Sequence, residues 1–134
     1  MADRKFGTEV SLPVVHYLSQ RFTFADNGTT FTLGYLPEGA VVIDVVVIAP
    51  TAFDSGTSDV LIVGYTDDDN EFIATCDLQA TGRIYDATTM NASVELYDTS
   101  EKKVTCKFTA AGTAATAGEA IVIVTFVPRV TAPS

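Results

Sequence analysis

The residues able to do chemistry in this 134-residue chain are few and far apart. His16 is the sole histidine, so a Ser–His–Asp relay would have to run through it, and no Gly-x-Ser-x-Gly elbow is present to hold a nucleophile. One histidine and two separated cysteines, Cys76 and Cys106, do not make a tetrahedral zinc site. His16 therefore reads as an ordinary surface or interface residue. The acidic run Thr66-Asp67-Asp68-Asp69-Asn70-Glu71 offers alternate carboxylates at Asp67, Asp69 and Glu71, the hard oxygen ligands that calcium prefers. It lacks the glycine and distal glutamate of an EF-hand loop, and an extended tip cannot easily wrap one ion, so it reads as a solvated hairpin turn. Paired carboxylates for glycoside cleavage exist in so acidic a chain, but such enzymes seldom fit into so small a domain. The chain is read as a non-enzyme with no cofactor and no metal.

Charge narrows the partners. Eight basic residues stand against seventeen acidic ones, a net charge of −9 and a pI near 4.3. Phosphate binding needs clustered lysine and arginine, so nucleic acid is not an expected partner. Lys102, Lys103 and Lys107 form the one local basic group, and on a strand Lys103 and Lys107 share a face that reads as solvated. No uncharged apolar run reaches the ~20 residues of a membrane helix. The opening MADRKFGTEV has charges but no apolar stretch, so no signal peptide is expected and synthesis is assigned to a cytoplasm. Cys76 and Cys106 sit in apolar patterns and read as buried thiols of a reducing compartment, with a disulfide as the alternative.

Few helical periodicities occur. Short alternating or apolar runs recur instead between clusters of Gly, Asp, Asn, Ser and Thr, the pattern of an all-β sandwich or barrel. Strands are expected at Leu18–Phe24, Thr30–Leu36, Ala40–Ile48, Val60–Tyr65, Glu71–Cys76, Ser93–Tyr97, Lys103–Thr109 and Glu119–Val127. Asp26-Asn27-Gly28 tolerates positive φ and predicts a hairpin between the first two strands; Ala110–Gly118 predicts a second hairpin loop. Leu36-Pro37-Glu38-Gly39 is a turn, and Leu78–Asn91 a long connection with at most one short strand. Alternation along Ala40–Ile48 places Val41, Ile43, Val45 and Val47 on one face and Val42, Asp44, Val46 and Ile48 on the other. The last strand is likewise apolar on both faces. The expected core is Phe31, Leu33, Val41, Ile43, Val45, Ile62, Val104, Phe108, Val122 and Val124. The domain organisation is an irregular N-terminal arm, residues 1–16, followed by one sandwich domain, residues 17–134.

From about Phe22 to Val127 the chain resembles the decoration or cement proteins of tailed-bacteriophage capsids. The resemblance is carried by LPEGAVV entering a β-branched strand, by TAFDSGTSDVLIVG, by the acidic TDDDNEFIATCDL, and by the closing TAATAGEAIVIVTFV. It implies a jelly-roll-like antiparallel β-sandwich and a homotrimer seated on the outside of a phage head. The implied partner is the major capsid protein, and the implied location is the virion surface after synthesis in the host cytoplasm. The same pattern also fits a tail, baseplate or head-fibre module, including a glycan-binding one. Small sandwiches bind sugars through exposed aromatic platforms; this chain has no Trp, and Tyr35 and Tyr65 fall in core-like strands. Within the resemblance, Arg4, Lys5, Phe6, Val14 and Val15 are the candidates for touching the capsid. Val42, Val46, Ile48, Ile121 and Ile123 are the candidates for the subunit interface, because an apolar outer face needs covering.

Overall fold

The computed structural model describes residues 15–85 and 100–128. Among these residues there are eight strands: β1 (His16–Thr23), β2 (Thr30–Leu36), β3 (Val41–Thr51), β4 (Ser58–Tyr65), β5 (Asp68–Asp77), β6 (Gly82–Tyr85), β7 (Lys102–Ala111) and β8 (Glu119–Val127). One 3-10 turn, Phe24–Asp26, is the sole helical element among the described residues. The strands form two four-stranded antiparallel sheets, ordered β1-β8-β3-β6 and β2-β7-β4-β5. First pairs with last, second with seventh, third with sixth and fourth with fifth, which is the jelly-roll order expected for the chain. The strand expected at Ser93–Tyr97 lies outside the described residues.

This topology replaces both expected flanking hairpins with crossovers between sheets. β1 pairs with β8 and β2 with β7, so Asp26-Asn27-Gly28 carries the chain across the sandwich instead of folding it back. The turn chemistry itself is present: Gly28 has φ +84 and Thr29 N–H donates to the Asp26 carbonyl at 3.0 Å. Thr23 caps the 3-10 turn through a reciprocal bond pair with Asp26, and this turns the chain out of the plane of β1. Residues 112–118 likewise join β7 of one sheet to β8 of the other. The acidic tip between β4 and β5 is a true hairpin, with Tyr65 opposite Asp68.

Two core assignments shift because strands bulge. The ladder of β3 on β8 slips between Val42 and Asp44, leaving Ile43 unpaired and 46% exposed. The slip reverses the phase of the strand, so Val42 faces the core ahead of it and Val45, Val47 and Ala49 face the core beyond it. Val41 and Ile43 are thus not core, and Val42, expected at a subunit interface, is 1% exposed inside the sandwich. On β4 the core takes Leu61 and Val63; Ile62 points outward. Val45, Val104, Phe108, Val122 and Val124 are buried as expected, and Phe31 and Leu33 pack against the core from a half-buried edge.

An aromatic cluster joins the layers. Phe22 of β1, Phe53 of the β3–β4 connection and Phe108 of β7 meet with ring centroids 4.7–5.8 Å apart, and Phe31 of β2 stands 6.4 Å from Phe22. Pairs at these separations contribute about 0.5–1.5 kcal/mol each beyond the area they bury. Gly118, at φ +146, lies against this cluster. A Cβ there would sit 2.5 Å from the Phe53 ring, so the loop needs glycine for space as well as for its backbone.

Cys76 and Cys106 are free thiols in the core, on β5 and β7 with β4 between them. Burial pushes both up to about 12, and the Asp77 carboxylate adds to the effect at Cys76. The thiolate is the reactive form, so neither should react with an aromatic disulfide reagent at pH 8 until the protein unfolds. Their ordinary value is 9.0. Unfolded thiols ionise above it while folded ones stay neutral, so the thiols make stability fall as pH rises from 9 toward 12. Val45→Asp buries an unpaired charge and should cost more than about 4 kcal/mol in denaturant unfolding. Ile43→Asp, at the bulge, should stay within about 1 kcal/mol; equal costs at the two positions would refute the bulge.

Candidate functional site

The outward face of the β1-β8-β3-β6 sheet follows from the register, since directly paired residues point to the same side. Ile123 lies between Ser19 and Val46, and Ile121 lies between Arg21 and Ile48. Four of the five expected interface residues therefore form one contiguous block, Val46 and Ile48 on β3 beside Ile123 and Ile121 on β8. The three isoleucines are half-buried, and Val46 is 7% exposed although it is not part of the core cluster. The fifth, Val42, belongs to the core, for the reason given by the β3 bulge.

Polar groups rim the block. Tyr17, Thr125 and Asp44 make the next row toward the chain entry, and Thr23, Glu119 and Thr51 the row at the opposite side. Arg21 pairs with Glu119 across β1 and β8. Arg83 of β6 stands opposite Ile48. An apolar centre inside a polar rim is the usual anatomy of a protein–protein interface. Tyr17 (68% exposed) and Val15 (60%) carry apolar surface onward at the start of β1. Of the expected capsid-contacting residues, Val15 is the one described; Arg4, Lys5, Phe6 and Val14 lie outside the described residues.

The two ends of the sandwich differ. At one end, four connections are bonded to each other. Phe24 N–H donates to the Gly118 carbonyl (3.1 Å), Phe53 N–H to Leu78 (3.0 Å) and Gly56 N–H to Thr113 (2.8 Å). Asp59 is wholly buried there, its carboxylate accepting from Ser55 N–H (2.9 Å), Ser55 Oγ (2.6 Å) and Gln79 Nε2 (2.8 Å). Asp54 accepts from Thr116 N–H (2.8 Å), Thr116 Oγ1 (2.9 Å) and Ala117 N–H (3.1 Å). These carboxylates hold loops, a use hidden in the sequence because Thr116, Ala117 and Gln79 lie far from them along the chain. At the other end the chain enters β1 and leaves β8. His16 stacks on Phe126 (5.8 Å), and Lys102 holds the hairpin tip through Asp67 (3.2 Å).

No family model matches the sequence, and no curated protein sequence matches it either. Solved structures do match its fold. A chain of the cyanophage Pam1 capsid asymmetric unit aligns with TM-score 0.63 at 18% identity, over 95% of this chain and 91% of that one. A chain from the acidic stable capsid structure of Helicobacter pylori bacteriophage KHP30 gives 0.60 at 20%, over 87% and 89%. One from the capsid of Ralstonia phage GP4 gives 0.56 at 22%, over 87% and 86%. At these identities the likeness is one of fold, extending over most of each chain.

Asp54 yields a pH prediction. Bonds from the Thr116 backbone and hydroxyl, then from Ala117 N–H, hold its carboxyl below the ordinary 3.8. A lowered folded value means a contribution that is present above the unfolded value and lost as pH falls through the folded one. Asp54→Asn should therefore lower Tm at neutral pH and narrow the drop in Tm between pH 5 and pH 3; an unchanged Tm profile would show the loop contact to be idle.

Proposed function

We propose that the chain is a structural protein of a bacteriophage virion that sits on the outside of the head and reinforces the shell. What supports the reading most directly is the likeness, along most of the chain, to chains of three phage capsid structures. An exterior position suits the charge, since a net −9 facing packaged DNA would be repelled and facing solvent keeps particles apart.

In this reading the major capsid protein is the partner, and Arg4, Lys5, Phe6, Val14 and Val15, in the arm assigned to residues 1–16, make contact with it. The arm leads into β1 at the end where β8 also finishes, away from the bonded loops, so the rigid end is free to face outward. The block Val46, Ile48, Ile121 and Ile123 covers itself against further copies in a homotrimer. Several modest contacts joined in one rigid trimer then add as avidity, which suits a clamp spread across neighbouring capsid subunits.

The test is whether the protein stays with tail-free, DNA-filled heads on a density gradient. Removing residues 1–14 should release it from heads while the sandwich keeps its circular dichroism spectrum. Ile121→Glu with Ile123→Glu should convert the assembly to monomers in sedimentation without unfolding it, because both side chains face outward. Heads lacking the protein should be more sensitive to heat and osmotic shock. Equal resistance with and without it would overturn reinforcement, and a monomeric native protein would overturn the trimer.

A further inference from the structure

The outer face of the second sheet is chemically unlike that of the first. It carries a concavity of about 370 Å³, within the range of small-molecule sites. Its floor is the middle of β7, where Lys103, Thr105 and Lys107 alternate outward, with Thr30 opposite Lys107 and Thr32 opposite Thr105 on β2. Asp69 contributes to its wall.

That wall is built by a glycine. Gly64 lies opposite Thr105, and a Cβ on it would meet the Asp68 carbonyl oxygen at 2.3 Å and Glu71 N at 2.6 Å. The backbone of the β4–β5 hairpin thus rests directly on Gly64, and the hairpin tip stands beside the floor. Any side chain at this position would lift the hairpin and dismantle the wall.

We propose that this concavity binds a carboxylated saccharide. The surroundings mix hydroxyl and charge with one aliphatic side chain, Ile62, which stands opposite Lys107 on β4 and can take the apolar face of a sugar ring. Threonine hydroxyls both donate and accept, Asp69 accepts and the lysines donate, a mixture that matches a polyhydroxylated ligand. Positive charge exceeds negative at the floor, and neither Lys103 nor Lys107 has an ion pair with any described residue. In a chain with twice as many acids as bases, two such lysines on one face select an anionic sugar over a neutral one. Lys103 and Lys107 lie four residues apart on a strand, about 13 Å, a span that suits more than one sugar ring. Tyr35, opposite Lys103 and 54% exposed, offers a ring face at the rim against which a pyranose can pack. The site is on the sheet opposite the apolar block, so a saccharide and further copies of the chain need not compete.

Titration of the intact protein with tri-galacturonate, followed by calorimetry and by amide shifts of residues 103–107, tests this. Saturable binding of millimolar strength or better is expected, with maltotriose, its neutral counterpart, binding at least about tenfold more weakly. Lys103→Gln with Lys107→Gln should weaken tri-galacturonate by about tenfold or more while leaving Tm and attachment to phage heads unchanged, which separates this inference from the proposed virion role. Gly64→Ala is a second variant that should lose binding; if it also unfolds, the lysine pair alone decides. No saturable binding, equal binding of maltotriose, or tighter binding of a poly-aspartate peptide would each overturn the proposal, the last pointing to an acidic protein as the true occupant.

Discussion

The contact between Phe22, Phe53 and Phe108 is the one on which the rest of the architecture depends. These rings come from the first sheet, from a crossover connection and from the second sheet, so they cannot meet unless both sheets are in place. Around them the connections give up any chance of forming simple hairpins. They bond to one another instead, through Asp54, Asp59 and the backbone groups of the same end. Burying Asp59 without losing stability requires all of its donors; Ser55 is local, but Gln79 reaches it only when the β5–β6 connection has docked. Aromatic packing and the carboxylate bonds are thus parts of one closure.

Strand identity was legible in the sequence because side-chain alternation is local. The runs around Val45, Ile62, Val104 and Val122 announced themselves as β-branched and apolar, and the same period put Val46 with Ile48, and Ile121 with Ile123, on shared faces; that these faces turn outward follows only from the sandwich. What alternation could not show was a change of phase. A single unpaired residue, Ile43, moved Val42 into the core, and nothing in a run of valines and isoleucines marks which one is unpaired. Pairing partners were hidden for a different reason. Asp26-Asn27-Gly28 has the chemistry of a tight turn, and a turn sets the local backbone without naming the strand that comes next to it. The Thr105 face looked like an ordinary wet surface; its wall depends on Gly64, whose role is visible only once β5 lies across it.

The two sheets divide the outer surface into two chemistries. One presents aliphatic side chains ringed by polar groups, and the other presents hydroxyls, lysines and a carboxylate. Both follow from the sandwich. Each strand gives alternate residues to a shared interior, which leaves the remaining half free to vary, and here the two halves have diverged. Irregularity is not confined to the edges: β2 bulges at the rim of its sheet, and β3 bulges at the centre of the other.

Pairing the first strand with the last has a consequence for how the molecule is made. His16 opposes Phe126, so the β1–β8 ladder joins segments separated by nearly the whole chain. On the ribosome, β1 must wait with its backbone groups unpaired until β8 has emerged, and β2 must wait almost as long for β7. Non-local topologies of this kind fold on roughly the millisecond-to-second scale, later than local collapse. During that interval the apolar strands of many nascent copies are exposed together, and unpaired edges are where chains join wrongly. A net charge of −9, carried by strands and connections alike, makes such chains repel one another. The charge that marks the finished surface is thus already present on the chain when its edges are most exposed.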